Sequence, residues 1–213
     1  MSSLKLKHSG GNSVIIAAPS SNPASNRTLT VPSNADGEIL TTTNPKSGSI
    51  IQVVATNVSA TSSVSVENGT IVDTPATVTI TSTAANSKFL ISAAIGGEAN
   101  QPDHAIGFVL QRVIGGSTSS INVGTAESNR PAITFIQQQG YGGSNNTTTS
   151  STSAMSPYLD SPSQSASTAI TYKIGIIGLG TTATFYFGRT VSDTDNDTNE
   201  RTPNYITVME IAA

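Results

Sequence analysis

Apolar and polar residues alternate at a spacing of two along most of this chain, and this period constrains the fold more than any other feature. Successive side chains of a strand point to opposite faces, so the alternation predicts sheets that each bury one face. We find no long stripe of apolar residues at helical spacing. Ser, Thr and Asn supply much of the polarity, and their side chains compete with the helical backbone for hydrogen bonds. We therefore predict an all-β protein.

The alternating segments predict a series of strands separated by turns that are rich in Gly, Asn and Pro. These strands cover residues 12–18, 27–31, 49–56, 62–66, 76–81, 88–95, 105–114, 119–123, 132–138, 170–177, 183–191 and 205–211. Residues that tolerate positive φ predict turns at 9–12, 34–37, 68–69, 96–97 and 115–116. Asn68-Gly69 stands between two β-prone runs and predicts a hairpin.

The first 73 residues differ from the rest, because prolines at positions 19, 23, 32 and 45 break their short strands. Proline removes a hydrogen-bond donor from the strand ladder, so such segments belong at sheet edges or along a partner. Longer and more apolar strands begin near residue 76. We predict a short N-terminal β-rich attachment or stalk region at 1–73. A C-terminal antiparallel β-sandwich head at 74–213, jelly-roll-like in architecture, would follow it.

One long interruption, residues 140–169, separates two groups of predicted strands and is dense in Gly, Ser, Thr and Asn. Within it, residues 145–153 are nearly all Ser, Thr and Asn. A loop of this length is either a solvated segment at the rim or a recognition loop. Uncharged hydrogen-bonding groups suit sugars, so the second alternative predicts a glycan contact.

Charged residues make up 11% of the chain, against roughly 25% in an ordinary soluble domain. With a formal net charge of −3, we expect no nucleic-acid partner. No apolar run approaches the roughly 18 residues of a membrane span, and no signal peptide is recognisable, so we expect neither membrane insertion nor secretion. Cysteine is absent, which excludes disulfides and thiolate metal sites. We expect oligomerisation to supply the missing robustness.

Two local patterns suggest ligand sites. Residues 178–183 read GLGTTA and fit a dinucleotide-binding pattern, but the β-prone residues that follow favour a hairpin turn instead. Asp193, Asp195 and Asp197 alternate as in a calcium loop, although Thr198 and Asn204 stand where that loop requires Gly and Glu. This segment is therefore either a cation site of another kind or a polar turn.

Other candidates for chemistry are isolated. His8 and His104 lie far apart without cysteines, which disfavours zinc, and no elbow motif presents a serine to Asp103 and His104. The carboxylates do not predict a glycosidase pair. We therefore predict no catalytic, cofactor-binding or metal-binding residues, and no enzymatic activity. Four arginines are either ordinary surface charges or partners of acids across a subunit interface: Arg112, Arg130, Arg189 and Arg201.

The two ends of the chain carry a resemblance. Residues 9–25 read SGGNSVIIAAPSSNPAS, residues 27–32 read RTLTVP, residues 36–40 read DGEIL, and the chain closes with YITVMEIAA at 205–213. These segments resemble the N-terminal module and closing strand of virion fibre proteins of marine tailed phages such as cyanophages. The resemblance implies a homotrimer whose N-terminal part binds other virion proteins. Its head would be displayed on the tail or capsid exterior, where it contacts a host surface glycan or receptor.

Two alternatives remain for the function. A capsid decoration or cement protein, or a head fibre, would use the same sandwich and trimer to bind the major capsid protein. A β-sandwich polysaccharide-degrading enzyme is the third hypothesis. In the first two cases the chain is a virion component made in the host cytoplasm.

Overall fold

The computed structural model describes residues 3–17, 20, 21, 23, 25, 45–101, 106–137, 149–180 and 182–213. The chain divides into two compact units, Met1–Ile39 and Leu40–Ala213. The described residues form strands, turns and irregular segments, and no helix occurs among them. The prediction of an all-β protein is therefore confirmed.

The described part of the first unit is a β-hairpin. Strands β1 (Ser3–Lys7) and β2 (Ser13–Ala17) pair antiparallel. The turn predicted at residues 9–12 is confirmed, because the His8 N–H donates to the Asn12 carbonyl at 2.8 Å and Gly11 has a φ of 97°. Leu6 and Ile15 are more than half exposed, and an isolated two-stranded hairpin is only marginally stable in water. The strand predicted at 27–31 and the turn at 34–37 lie outside the described residues.

Twelve strands make up the described part of the second unit. In chain order they are β3 (Ile50–Val58), β4 (Ser62–Val66), β5 (Ile71–Thr81), β6 (Lys88–Ala99), β7 (Ile106–Ile114), β8 (Ser117–Ser120), β9 (Phe135–Ile136), β10 (Ser151–Ala154), β11 (Tyr158–Asp160), β12 (Ala169–Gly178), β13 (Ala183–Phe187) and β14 (Asn204–Ile211). Most coincide with predicted strands to within a few residues. The exceptions are β10 and β11, which lie in the interval predicted to be one long loop.

The strands form two antiparallel sheets. The first sheet has the order β3-β14-β6-β13-β4, and β10 and β11 also pair with β6. Gly97 pairs with Phe187 of β13 and with Ser151 of β10, so these two strands lie on opposite sides of β6. The first sheet is thus four positions wide: β3 with β4, β14 with β13, β6, and β11 with β10. The second sheet runs β5, β12, β7, and then β8 with β9.

Successive parts of the chain alternate between the two sheets. β3 and β4 belong to the first sheet, β5 to the second, β6 to the first, and β7 to β9 to the second. The chain then returns through β10 and β11 to the first sheet, through β12 to the second, and ends with β13 and β14 in the first. β13 and β14 lie between β6 and the edge of the sheet that β3 and β4 form. This is the order of a jelly roll, and the predicted β-sandwich is confirmed.

Alternation along each strand places the core between the sheets. In β14, Ile206 and Val208 are fully buried, whereas Tyr205 is 40% exposed. An aromatic cluster spans the two sheets, with Phe108 of β7 edge-on to Phe185 of β13 at a centroid distance of 5.7 Å. Edge-to-face contacts of this kind add to the free energy gained from burial alone.

The predicted domain boundary differs from the observed one. β5 runs without interruption through residues 73–76, where the boundary was expected. β3 and β4 pair with β14 and β13, so they belong to the sandwich, and the compact unit begins at Leu40. The proline-broken part ends at Pro45, and beyond it Val54 and Val64 pack against the core. The sandwich therefore includes residues 50–58 and 62–66, which the prediction assigns to the stalk region.

Two predicted hairpins are wrong, although the turn predicted at residues 68–69 exists. Gly69 has a φ of 79° and the Thr70 N–H donates to the Glu67 carbonyl at 3.4 Å, as a turn requires. However, β4 pairs with β13 in the first sheet and β5 pairs with β12 in the second. The segment at 178–183 likewise joins β12 to β13, which lie in different sheets. Gly115-Gly116 is a confirmed turn, with both residues at positive φ between paired strands.

The turn predicted at Gly96-Gly97 is also wrong, because both residues lie inside β6. Gly97 has a φ of 149°, and a Cβ there would lie 2.8 Å from Cε1 of Phe185. Glycine is required at this position because another part of the core approaches the backbone closely.

Candidate interaction surface

The outward face of the first sheet carries a row of apolar side chains that crosses all four strand positions. Met209 of β14 pairs with Val53 of β3 on one side and with Leu90 of β6 on the other, and Leu90 pairs with Leu159 of β11. These four residues define the apolar row. Their neighbours along β14, Val208 and Glu210, are buried, so the row faces outward.

A second line of residues extends the apolar row toward one end of the sheet. Ile211 pairs with Ile50 and with Lys88. Toward the other end, Thr207 pairs with Ala55 and Ser92, so the next line is uncharged. We call the six apolar residues of the first two lines the outer apolar face: Ile50, Val53, Leu90, Leu159, Met209 and Ile211.

The outer apolar face is accessible. Val53 is 56% exposed and Leu159 is 46% exposed, although they stand at opposite edges of the sheet. Leu90 and Met209, between them, are partly exposed. Scattered apolar side chains are normal on a protein surface, but a contiguous apolar patch marks a site of interaction. Sequence analysis missed this surface, because it depends on which strands pair. The one visible signal was that β3 is apolar on both faces.

Behind this surface, a buried ion pair ties the two sheets together. Arg112 Nη1 of β7 lies 2.8 and 2.9 Å from the two carboxylate oxygens of Asp160 in β11. The Tyr172 hydroxyl of β12 donates to Asp160 Oδ2 at 2.8 Å. Burial, followed by the charge of Asp160, raises the pKa of Tyr172, so the hydroxyl remains a donor. The carboxylate is thus fully engaged in structural contacts.

Glu210 is a second buried acid with a structural role. Its carboxylate accepts the Thr83 N–H at 2.8 Å, the Thr83 hydroxyl at 3.0 Å and the Ala84 N–H at 3.3 Å. The Gln52 amide donates to it at 3.1 Å in the orientation that satisfies both amide atoms. These donors fix the connection between β5 and β6 onto β14 and compensate a charge that is removed from water.

Glu98 of β6 is a buried acid whose pKa is perturbed. Burial is the largest effect and raises the pKa of its carboxyl above the usual value. The charge of Glu200 adds to this rise, whereas hydrogen bonds from the backbone of Val191 and Thr149 oppose it. The Val191 N–H donates to Glu98 at 2.7 Å, and the Ser150 N–H donates to Glu200 at 3.1 Å. Both carboxylates therefore hold backbone segments.

The acidic segment after β13 forms a polar turn held by its own side chains. Asp193 accepts a hydrogen bond from Arg201 at 2.7 Å, Asn196 accepts the Thr198 N–H at 3.1 Å, and Asn199 donates to the Thr194 carbonyl at 2.9 Å. Of the two alternatives drawn from the sequence, this geometry fits the polar turn. Across the described ranges, no three His, Asp or Glu side chains converge as a metal site would require.

The remaining candidates are dispersed. His8 Nδ1 accepts the Gly10 N–H at 3.0 Å in the hairpin turn, while Asp103 and His104 lie outside the described residues. The uncharged stretch at 145–153 is described only from residue 149, and its end forms β10. The segment at 178–183 leads from strand to strand, so it lacks the helix that dinucleotide binding needs.

The four arginines that the sequence analysis singled out have partners within the chain. Besides the Arg112–Asp160 and Arg201–Asp193 pairs, Arg130 lies 3.6 Å from Glu127. Arg189 stacks 4.3 Å above the Tyr186 ring and donates to the carbonyls of Thr190 and Val191. The side chains of Arg130 and Arg201 are nevertheless exposed, at 80% and 62%.

Comparison with known proteins gives a remote structural similarity. No protein-family model and no curated protein matches the chain. Two solved structures of infectious bursal disease virus align with it: that of the Gt strain at 13% identity and a TM-score of 0.31, and that of the Gx strain at 10% identity and a TM-score of 0.34. The alignments cover 95% and 94% of this chain but 48% and 46% of the viral chains, so the chain spans about half their length.

In the part of the chain that the structure describes, no helix has the length and hydrophobicity needed to cross a membrane.

Proposed function

We propose that this chain is a structural protein of a tailed-phage virion, a trimeric fibre or appendage displayed on the particle, which works by contact with the host surface. The observation that carries the proposal is the outer apolar face. Its apolar side chains are exposed across the whole width of the sheet, and almost all of the neighbouring residues on that face are uncharged. Interface cores are depleted in charged residues in the same way. Burial against other copies of the chain would remove this surface from water.

Two further features support a display role. The jelly roll forms a rigid sandwich held by inter-sheet contacts such as Arg112–Asp160, which suits a head that has no disulfide. The hairpin of β1 and β2 precedes the sandwich as a separate unit, and the sequence around it carries the resemblance to phage fibre proteins. In this proposal the N-terminal unit binds other virion proteins and the sandwich faces outward.

The oligomeric state is the first test. We expect light scattering on the purified chain to give three times the chain mass of 21.7 kDa, or a multiple of this trimer mass. Leu159→Lys and Met209→Lys place a charge on the outer apolar face, and each should shift the mass toward the monomer. Thr118→Lys, on exposed β8 of the second sheet, is the matched control and should leave the mass unchanged. A monomeric wild-type chain would refute the trimer.

The second candidate function, a capsid decoration protein or head fibre, is favoured by the same observation, because a sheet face of this kind also suits a large protein partner. Immunogold labelling of virions separates the two functions, since a fibre or tail appendage places gold at the tail and a decoration protein over the head. Adsorption competition with purified protein then tests host contact. Reducing ends released from host polysaccharide would point instead to a degrading enzyme.

A further inference from the structure

The edges of the two sheets differ in how well they are protected against pairing with another chain. An edge strand presents unpaired N–H and C=O groups, and proteins protect such edges with proline, with charge or by keeping the strands short. β5 carries Pro75 near its middle, β8 has four residues, and Ser156 and Pro157 separate the short strands β10 and β11. Each of these edges is therefore protected against pairing with a strand of another chain.

β3 lacks this protection. It has nine residues, IIQVVATNV, with neither proline nor charge. It pairs with β14 on one side, regularly from Gln52 to Val58, and with no described strand on the other. Its outward residues Val53, Ala55 and Asn57 are exposed. A long, uncharged and regular edge is a ready template for another strand.

We propose that β3 pairs antiparallel with β3 of a second copy of this chain, so that the first sheets of two copies form one continuous sheet. The partner follows from the other described edges, because β5 carries a proline and β4, β8, β9, β10 and β11 have five residues or fewer, so none offers a strand comparable to β3. A strand that pairs with itself forms a two-fold contact in which both copies use the same surface. Because β3 is uncharged, no like charges oppose each other across this contact.

The pairing also continues the outer apolar face. Val53 ends the apolar row at the β3 edge, so joining two β3 strands brings the rows of both copies together. A two-fold contact goes beyond the proposed trimer, whose symmetry is three-fold. It would connect one trimer to the next, or this chain to its copies in a larger assembly.

Cysteine cross-linking tests this contact, because the chain has no cysteine of its own. Directly opposed residues of antiparallel strands have Cα atoms about 4.5 to 5.5 Å apart, which is within disulfide range. Val53→Cys, Ala55→Cys and Asn57→Cys are prepared in the full chain and oxidised alone and in mixed pairs. In a two-fold pairing centred on Ala55, we expect most of the chain to form a disulfide-linked dimer with Ala55→Cys alone and also with Val53→Cys mixed with Asn57→Cys, and little in the other combinations. A pairing centred on another residue gives a different set of cross-linking combinations. Ser119→Cys, on the exposed edge strand β8, should remain monomeric on a denaturing gel.

Variants of opposite charge distinguish the loss of this contact from misfolding of a variant, because only folded chains can pair again when the opposite charges are mixed. With the pairing centred on Ala55, this residue faces its own copy, so Ala55→Lys in both copies should abolish the dimer that Val53→Cys and Asn57→Cys form, as should Ala55→Glu in both. In any other register, the charges are placed at the residues that face each other across the contact. Mixing the Lys and Glu chains should restore the dimer. Three results would overturn the proposal. They are uniform cross-linking at all positions, equally strong cross-linking of Ser119→Cys, and failure of the mixed Lys and Glu chains to restore the dimer.

Discussion

Replacing Tyr172 with phenylalanine removes one hydroxyl from the buried network of Asp160 and leaves the ring packing intact. The ring contact with Phe89, at a centroid distance of 6.0 Å, does not involve the hydroxyl. Asp160 loses a donor at 2.8 Å but keeps Arg112. A hydrogen bond to a charged group contributes about 1.5 to 3 kcal/mol. Because the side chain of Asp160 is almost wholly buried, water cannot replace the lost donor, and we expect a destabilisation of this size.

Urea unfolding of the wild type and of Tyr172→Phe measures this difference, with both proteins at the same concentration because assembly stabilises the folded state. In a thermal melt the same loss corresponds to a fall in Tm of about 3 to 12 °C for a domain of this size. Tyr158→Phe is the matched control. Tyr158 is half-buried in β11, next to the same network, and its hydroxyl makes no hydrogen bond to a described residue. Its removal should change stability by less than about 0.5 kcal/mol.

The reasoning would be refuted if Tyr172→Phe and Tyr158→Phe had equal effects. A second measurement tests the coupling within the network. Asp160→Asn alone, and combined with Tyr172→Phe, completes a double-mutant cycle. If Tyr172 acts through the charge of Asp160, the double variant should be clearly more stable than the sum of the two single effects predicts.

The other predictions concern the core and the buried acid of β6. Gly97→Ala should destabilise by more than about 3 kcal/mol in urea, because its Cβ meets Phe185, whereas Gly69→Ala, with open space around it, should lose only about 1 kcal/mol. Phe185→Ala should lose about 3 to 5 kcal/mol by the same measurement, since the ring is fully buried among aromatic neighbours. Glu98 has a raised pKa when folded, so its contribution to stability is present below the unfolded pKa and is lost as pH rises through the folded pKa. Glu98→Gln should therefore flatten the decline in Tm between mildly acidic and neutral pH, and an unchanged profile would contradict that assignment.

Alternation alone predicted the fold class and most of the strands. The strand at 62–66 was predicted to the residue, because each buried position alternates with an exposed one. The strands β10 and β11 were missed, since Ser151–Ala154 reads STSA and its pairing depends on β6 rather than on its own hydrophobicity. Asn68-Gly69 shows a related limit. Local turn chemistry predicts where the chain reverses, but the sheet that each flanking strand joins depends on contacts distant in sequence.

The candidate surface was beyond prediction for the same reason. Val53, Met209, Leu90 and Leu159 are far apart in sequence and become neighbours only through the pairing register. The buried acids were equally hidden, because Asp160 and Glu98 resemble ordinary surface charges until their partners are known. The role of Gly96-Gly97 was hidden for the same reason. The pair suggested a turn by composition, but glycine is needed there because Thr202 and Phe185 occupy the space that side chains at these positions would fill.

The position of the last strand governs how the chain can be made. β14 lies between β3 and β6, so the first sheet lacks a central member until residues 204–211 have left the ribosome. Up to that moment β3 has no pairing partner among the described strands already synthesised, and non-local pairing of this kind is slow and prone to aggregation. A nascent chain that stalls before Asn204 would thus be far from folded. We expect a premature stop codon just before Asn204 to yield insoluble protein rather than a slightly shortened head.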